Sequence, residues 1–106
     1  MTHTSTLAAQ MHGDIAPKFT ELTDQVLFDD IWQRPQLNPR DRSVATVSAL
    51  IALYRLEQLP FHLDRALDNG VTREELAELV AHLAFYAGWP CAASATQLLA
   101  AALARR

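Results

Sequence analysis

Apolar and polar positions alternate most regularly between Leu59 and Pro90, with the period of an α-helix. Apolar side chains recur there three and four positions apart, in two groups: Leu59, Leu63, Ala66 and Leu67, then Leu76, Leu79, Val80, Leu83 and Ala87. Residues at this spacing share one face of a helix. The pattern therefore predicts two amphipathic helices, each with one face turned towards a core.

The residues between these groups predict where the helices begin and end. Asn69-Gly70 tolerates the left-handed conformation that ends a helix. Thr72 and Glu75 have the spacing of a capping box, which starts the next helix. Gly88 closes that helix, and Pro90 suits the first position of a last helix, Pro90 to Leu103, because its missing N–H is not needed there.

Two more helices are predicted upstream. Pro17 opens the first, with Asp14 as a possible cap, and its inward-facing residues are Phe19, Leu22, Val26 and Leu27. Arg34-Pro35 ends this segment, because the residue before a proline avoids the α conformation. The second helix, about Pro39 to Glu57, is apolar or small almost all round after its first turn, which is typical of a helix surrounded by others.

Residues 1–13 are polar or small and show no stable period, so we expect a flexible N-terminal arm. His3 and His12 lie in it without carboxylate or thiol companions, and we interpret both as solvated. The remainder, residues 14–106, is predicted to be a single domain, since 106 residues leave no room for a second core.

Composition narrows the function classes. Half of the residues are hydrophobic, and a net charge of −3 without a basic stripe gives no reason to expect nucleic acid. That hydrophobic content is high for a small domain and suggests apolar surface buried between subunits. The single cysteine excludes an internal disulfide. No secretory signal appears, and the longest apolar run, Val44 to Tyr54, is too short for a bilayer. We therefore expect a cytoplasmic protein without a membrane segment.

Two histidines lie beside the apolar stripes. His62 falls on the apolar side of its helix, where desolvation would lower its pKa and keep it neutral near pH 7. His82 shares a helix edge with Glu78 and Tyr86 at one-turn spacing. A lone histidine on a helix flank is more often a packed or solvated residue than a catalyst, so spacing alone leaves both readings open.

Arg42 lies in the first turn of the Pro39 helix, where a cation opposes the helix dipole. Its position is therefore not explained by local stability. Arg42 is a candidate for binding an anion, although the adjacent Asp41 would also neutralise it.

The order of residues resembles a known family. H-x-x-x-A-L-x-N-G-V-T-x-E-E-L-x-E-L, from His62, is followed by H-L-A-x-Y-A-G-W-P, which ends at Pro90. Upstream, D-x-W-x-R-P-x-L-x-x-R-x-R-S runs from Asp30 to Ser43. Together, between about Phe19 and Leu99, these segments resemble the carboxymuconolactone decarboxylase family of the alkylhydroperoxidase-like superfamily. The resemblance implies an all-α bundle of five to six helices, assembled as a homo-oligomer (a trimer of dimers) with sites near subunit interfaces.

This superfamily includes alkylhydroperoxidases, which use a C-x-x-C pair just before the histidine that corresponds to His62. Arg55 and Gln58 stand at those thiol positions here, and the associated glutamate position falls near Ser43. The departure argues against a dithiol peroxidase. Cys91 is the one thiol left, and a peroxide-reducing or redox-sensing protein that uses it is an alternative, as is a non-enzymatic binding module.

The second chemistry that the resemblance implies is decarboxylation of a carboxylated muconolactone in aromatic catabolism, which needs no metal or organic cofactor. Such a site must anchor carboxylates, stabilise an enolate and deliver a proton. We take His62 as the central proton donor or enolate stabiliser and Arg42 as the anchor for a substrate carboxylate. The further candidates are Glu78 and His82 for catalysis and Trp32, Arg34, Arg55 and Tyr86 for substrate binding. Gln58 stands where many of these decarboxylases have glutamate, which makes a different substrate the alternative.

Overall fold

The computed structural model describes residues 6–106 and shows an all-α chain, which confirms the predicted fold class. The described residues form six α-helices and no strand. The helices are α1 (Leu7–His12), α2 (Pro17–Leu22), α3 (Pro39–Ala52), α4 (Leu59–Asp68), α5 (Arg73–Ala87) and α6 (Trp89–Ala104). None of the described helices is long and apolar enough to cross a membrane.

Contacts along the chain define two units, which divide after Asn38. Part of the predicted arm is helical: α1 covers Leu7–His12, and its N-cap is Thr6, whose Oγ1 accepts a hydrogen bond from the Ala9 amide at 3.0 Å. A helix of only six residues is too short to show a period in the sequence. Residues 1–5 of the arm, including His3, lie outside the described residues. The predicted flexibility of the arm and the single domain over residues 14–106 stay predictions.

In the first unit, α2 runs directly into a π-helix, Thr23–Phe28, which a 3-10 turn, Ile31–Gln33, follows. The prediction that four apolar side chains of this segment face inward is wrong, because all four are exposed: Phe19, Leu22, Val26 and Leu27. Thr23 and Phe28 are buried instead. A π-turn holds one residue more than an α-turn, so it rotates Val26 and Leu27 away from the α-helical period that includes Phe19 and Leu22. The cap of α2 is Ala16 rather than Asp14.

The second unit, Pro39–Arg106, contains a hydrophobic core built by α3 to α6. Its most deeply buried large side chains are Val47, Ile51, Leu59, Leu63 and Leu76. Helix α3 contributes one face to this core and exposes Ala45 and Ala49. The prediction that other helices surround α3 on all sides is therefore wrong for the described residues. Small residues such as alanine fit an exposed helix face as well as a crowded one.

Helix α3 also ends earlier than predicted, at Ala52 rather than near Glu57. The chain leaves the helix through Tyr54, whose φ of 58° lies in the left-handed region that bulky residues rarely adopt. The phenol oxygen of Tyr54 lies 3.1 Å from Ser94 Oγ on α6. The end of α3 thus coincides with a contact to a residue 40 positions away in sequence. A local sequence pattern could not have predicted where the helix ends.

The turn between α4 and α5 is formed as predicted. Thr72 Oγ1 accepts from the Glu75 amide at 3.1 Å, and Glu75 Oε1 accepts from the Thr72 amide at 3.0 Å, which completes the capping box. Asn69 Nδ2 donates to Ser43 Oγ at 3.0 Å. This bond joins the end of α4 to the start of α3, so the two helices run in opposite directions.

Candidate functional site

His62 lies in the second turn of α4, on the flank of the face that buries Leu59 and Ala66. The ring is partly buried. Burial and, to a smaller extent, the positive charge of Arg65 one turn along the helix together lower the pKa of His62 to about 4. The predicted neutral imidazole is therefore present: near pH 7 the ring carries no charge.

Arg65 is a neighbour that the sequence analysis missed. Burial lowers the pKa of its guanidinium, and Asp68 acts in the opposite direction. Its spacing of three residues from His62 was a usable signal, because residues three apart on a helix are neighbours. A cationic group thus accompanies the imidazole on the same helix.

Arg42, the predicted carboxylate anchor, lies further away along the helix pair. The Asn69–Ser43 hydrogen bond sets the register between α4 and α3. His62 precedes Asn69 by seven residues, so it lies beside the part of α3 near Leu50. Arg42 precedes Leu50 by eight residues, so it lies roughly 12 Å from that level at about 1.5 Å of rise per residue. A ligand held by both residues would lie along the α3–α4 pair.

Glu78 and His82 face a different place, a groove between α3 and α5 with a volume of about 400 Å³. Its described lining residues are Arg40, Val44, Val71, Glu75, Glu78, Leu79 and His82. The predicted edge of α5 is thus formed, but His62 is not among these residues. Tyr86 lies next to His82, with ring centroids 4.9 Å apart, and is exposed.

Arg40 is the cation of this groove, and the sequence analysis did not single it out. Its Nη2 donates to Glu75 Oε2, and its Nη1 lies 3.4 Å from Asp41 Oδ1. Glu75 thereby links Arg40 to the cap of α5. Two carboxylates already compensate this guanidinium, which makes it a poorer anchor for an anionic ligand.

The remaining candidates are dispersed. Arg55 is exposed in the loop between α3 and α4, where residues 54–58 line a concavity of about 380 Å³. This segment contains Gln58. Trp32 and Arg34 belong to the first unit, where Trp32 is buried and Arg34 is exposed. Their predicted roles in substrate binding stay predictions.

Cys91 lies in the first turn of α6, partly buried against the core of the second unit. This position is typical of a small packing residue. Among residues 6–106, no three His, Cys, Asp or Glu side chains are grouped so that they could hold a metal ion.

Comparison with known proteins gives the same family as the sequence motifs. The model of the carboxymuconolactone decarboxylase family matches residues 17–101. A 4-carboxymuconolactone decarboxylase of Acinetobacter baylyi is 35% identical over 86 residues, 81% of this chain and 64% of that protein. A nitrosuccinic acid decarboxylase of Metarhizium robertsii is 37% identical over 70 residues, 66% of this chain and 49% of that protein. The chain thus aligns with less than two thirds of the length of either relative. Because the family model covers most of the chain, this protein belongs to the carboxymuconolactone decarboxylase family.

Proposed function

We propose that the chain is a decarboxylase that acts on a carboxylated lactone of the carboxymuconolactone type and needs no cofactor. The names of both relatives describe decarboxylases, which supports the reaction class. The observation that carries the proposal is the neutral imidazole of His62, partly buried and next to a guanidinium. The guanidinium suits the negative charge of the substrate carboxylate. The imidazole N–H suits the negative charge that develops on the enolate oxygen as CO₂ leaves.

In such a decarboxylation, the bond between the substrate carbon and its carboxylate breaks and CO₂ leaves. The bonding electron pair passes into the adjacent conjugated system and onto a carbonyl oxygen, giving an enolate whose carbon then takes up a proton from water. A donor held in a partly dry site stabilises that oxygen more than water does. We assign this role to the N–H of His62.

The pKa of His62 favours this role over that of a proton donor. With a pKa of about 4, only roughly one ring in a thousand is protonated at pH 7. A neutral imidazole still donates a hydrogen bond, whereas an acid that is so rarely charged would limit the rate. His62 is therefore the enolate stabiliser in this proposal.

Two arginines divide the work of holding carboxylates. Arg65 lies one turn from His62 and favours an anion beside the ring. Arg42 lies roughly two turns away along α3 and is the candidate for holding a second carboxylate of the substrate. Glu78, His82 and Tyr86 in and beside the α3–α5 groove are the second set of candidates, and Arg55, Arg34 and Trp32 are substrate-binding candidates. A role in aromatic catabolism, a cytoplasmic location and assembly as a trimer of dimers complete the proposal.

The test is turnover of 4-carboxymuconolactone, followed spectrophotometrically, by the wild-type protein and two matched variants. We expect His62→Leu to lower kcat by at least about 100-fold, because it removes the enolate donor. We expect His82→Leu, the same change on the exposed edge of α5, to leave kcat within about threefold. An active His62→Leu protein together with an inactive His82→Leu protein would move the site to the α3–α5 groove. Absence of turnover by the wild type would refute the proposed substrate.

A further inference from the structure

The turn that ends α3 has a tyrosine at a position where helices usually have glycine. The Arg55 amide donates to the Leu50 carbonyl at 2.8 Å. The Tyr54 amide donates to the Ile51 carbonyl at 3.1 Å. These two bonds form the Schellman motif, whose left-handed residue is most often glycine, because a side chain is unfavourable in that conformation. Tyr54 is the left-handed residue here, so the turn alone does not explain its side chain.

The phenol of Tyr54 makes a contact that glycine could not make. Its oxygen lies 3.1 Å from the hydroxyl oxygen of Ser94, in the second turn of α6, which is a hydrogen-bonding distance. Half of Tyr54 is exposed, so burial alone does not hold the ring in place. The hydrogen bond therefore ties the end of α3 to α6. Unfavourable backbone conformations that persist in a fold cluster at functional sites, which makes this tether a candidate for a functional role.

The residues that follow Tyr54 lead directly into the helix that carries His62. Together with Tyr54 they line the concavity of about 380 Å³ in the loop between α3 and α4. The Leu59 amide donates to the Arg55 carbonyl at 3.2 Å, which closes one helical turn before α4. Gln58 has helical backbone angles, φ −89° and ψ −21°, and lies four residues before His62, so the two side chains lie on the same side of the helix. The tethered turn thus begins the side of α4 that carries His62.

Arg55 is the cation of this concavity, and it is available to an anion. The residue is exposed, and its guanidinium forms no ion pair with a carboxylate of residues 6–106. Two carboxylates compensate Arg40, by contrast. The one carboxylate in the lining of the concavity, that of Glu57, does not pair with Arg55. A bidentate contact between a guanidinium and a carboxylate depends on the geometry of both groups, so the position of this turn decides how well Arg55 can bind an anion.

We infer that Tyr54 is a positioning residue for substrate binding, whose hydrogen bond to Ser94 holds Arg55 at the end of the site that contains His62. The inference rests on the proposed function and adds the group that orders the substrate-binding end of that site. Tyr54 itself contacts no reacting atom. Because the tether acts on a binding group and leaves the imidazole on α4 in place, its loss should weaken the binding of substrate and of transition state equally. Such a loss raises KM and leaves kcat unchanged.

Two single variants remove the tether from opposite ends, and turnover of 4-carboxymuconolactone by the full chain measures the effect. We expect Tyr54→Phe and Ser94→Ala each to raise KM roughly fivefold, the effect of about one hydrogen bond, with kcat within about twofold. The double variant should raise KM no further, because both changes break the same bond. Ser94→Thr keeps a hydroxyl and should restore KM. Thr96→Val is the matched control and should leave KM unchanged, since the Thr96 hydroxyl donates at 2.9 Å to the Ala92 carbonyl within α6.

Two outcomes of these kinetics would overturn the inference. One is an unchanged KM in Tyr54→Phe, and the other is a double variant whose effect is the product of the two single effects. Tyr54→Gly decides the question if Tyr54→Phe does not fold, because glycine adopts the left-handed turn readily and removes the whole phenol. We expect its KM to rise at least as much as that of Tyr54→Phe, and a KM equal to that of the wild type would again contradict the inference.

Amide hydrogen exchange, followed by NMR, tests the positioning without any substrate. The Arg55 amide should exchange at least about fivefold faster in Tyr54→Phe than in the wild type, because the turn opens more often without its tether. The Asn69 amide, which donates to the Arg65 carbonyl at the other end of α4, should exchange equally in both proteins. Equal exchange of the Arg55 amide in the two proteins would refute the positioning role, whatever the activity of the protein.

A wild type without turnover would refute the proposed substrate, and succinate then replaces it as the probe. Succinate carries two carboxylates, and the chemical shift of the Arg55 amide reports its binding. We expect a Kd at least about threefold higher in Tyr54→Phe than in the wild type. Equal affinities in the two proteins, or no binding to the wild type, would overturn the inference.

Discussion

At the scale of single residues, the surroundings of His62 decide which protonation state a substrate would meet. The ring is removed from much of the solvent and lies one turn from Arg65, and both effects disfavour the imidazolium. A bound carboxylate would act in the opposite direction. Before an anion binds, a substrate therefore meets a neutral ring that can still donate one hydrogen bond.

The lowered pKa of His62 predicts a pH-dependent contribution to stability. Because the folded pKa of about 4 lies below the unfolded value of 6.5, the unfolded chain takes up the proton first as pH falls. The contribution is fully present above pH 6.5 and is lost between pH 6.5 and 4. After a discount for partial exposure, we expect it to be on the order of 1–2 kcal/mol.

Urea unfolding at pH 7 and pH 4.5 measures this contribution as a difference between proteins. The wild type should lose more free energy of unfolding over this interval than His62→Leu, because other titrating groups act equally in both. The His82→Leu protein serves as the control and should follow the wild type. Equal losses in the wild type and in His62→Leu would show that His62 is not desolvated in the folded protein.

At the scale of secondary structure elements, the α4–α5 turn is fixed by short-range bonds. Glu75 makes two side-chain interactions in this turn: one carboxylate oxygen caps α5, and the other accepts a hydrogen bond from Arg40 of α3. Asn69 fastens the preceding end of α4 to the buried hydroxyl of Ser43. This turn therefore sets the register of α3, α4 and α5, and with it the level at which His62 lies along α3.

Removing the cap should weaken the fold measurably. Thr72→Ala deletes the hydroxyl that accepts from the Glu75 amide, and we expect the free energy of unfolding to fall by about 1 kcal/mol. Ser48→Ala is the matched control, because the Ser48 hydroxyl only donates to a carbonyl within its own helix. Chemical denaturation should show at most about 0.5 kcal/mol for the control. A Thr72→Ala protein as stable as its control would mean that the capping box does not hold α5.

The elements that the sequence predicted well are those with local determinants. The α4–α5 turn needed only residues within a few positions of one another, and so did the neutral state of His62. The break at Tyr54 and the pairing of Arg40 with Glu75 depend on residues 40 and 35 positions away, which no local period reveals. Phe19 shows a second limit of sequence-based prediction. An apolar period indicates which residues share a helix face, but it does not show whether the folded chain buries that face.

At the scale of the molecule, the proposed site lies in the second unit, where His62 and Arg65 lie on α4. Helices α4 and α6 are joined at one end by Arg105 to Asp64, at 3.1 Å, and by Arg106 to Asp68, at 2.6 Å.

The pH dependence of kcat with 4-carboxymuconolactone, between about pH 5 and 8, tests most directly whether a neutral His62 performs the reaction. If the uncharged ring stabilises the enolate, kcat should be nearly constant over this range, because the ring stays neutral well above its pKa of about 4. If the imidazolium were the proton donor, kcat would fall about tenfold for each pH unit above that pKa. A tenfold fall per unit that disappears in His62→Leu would contradict the role that we assign to this residue.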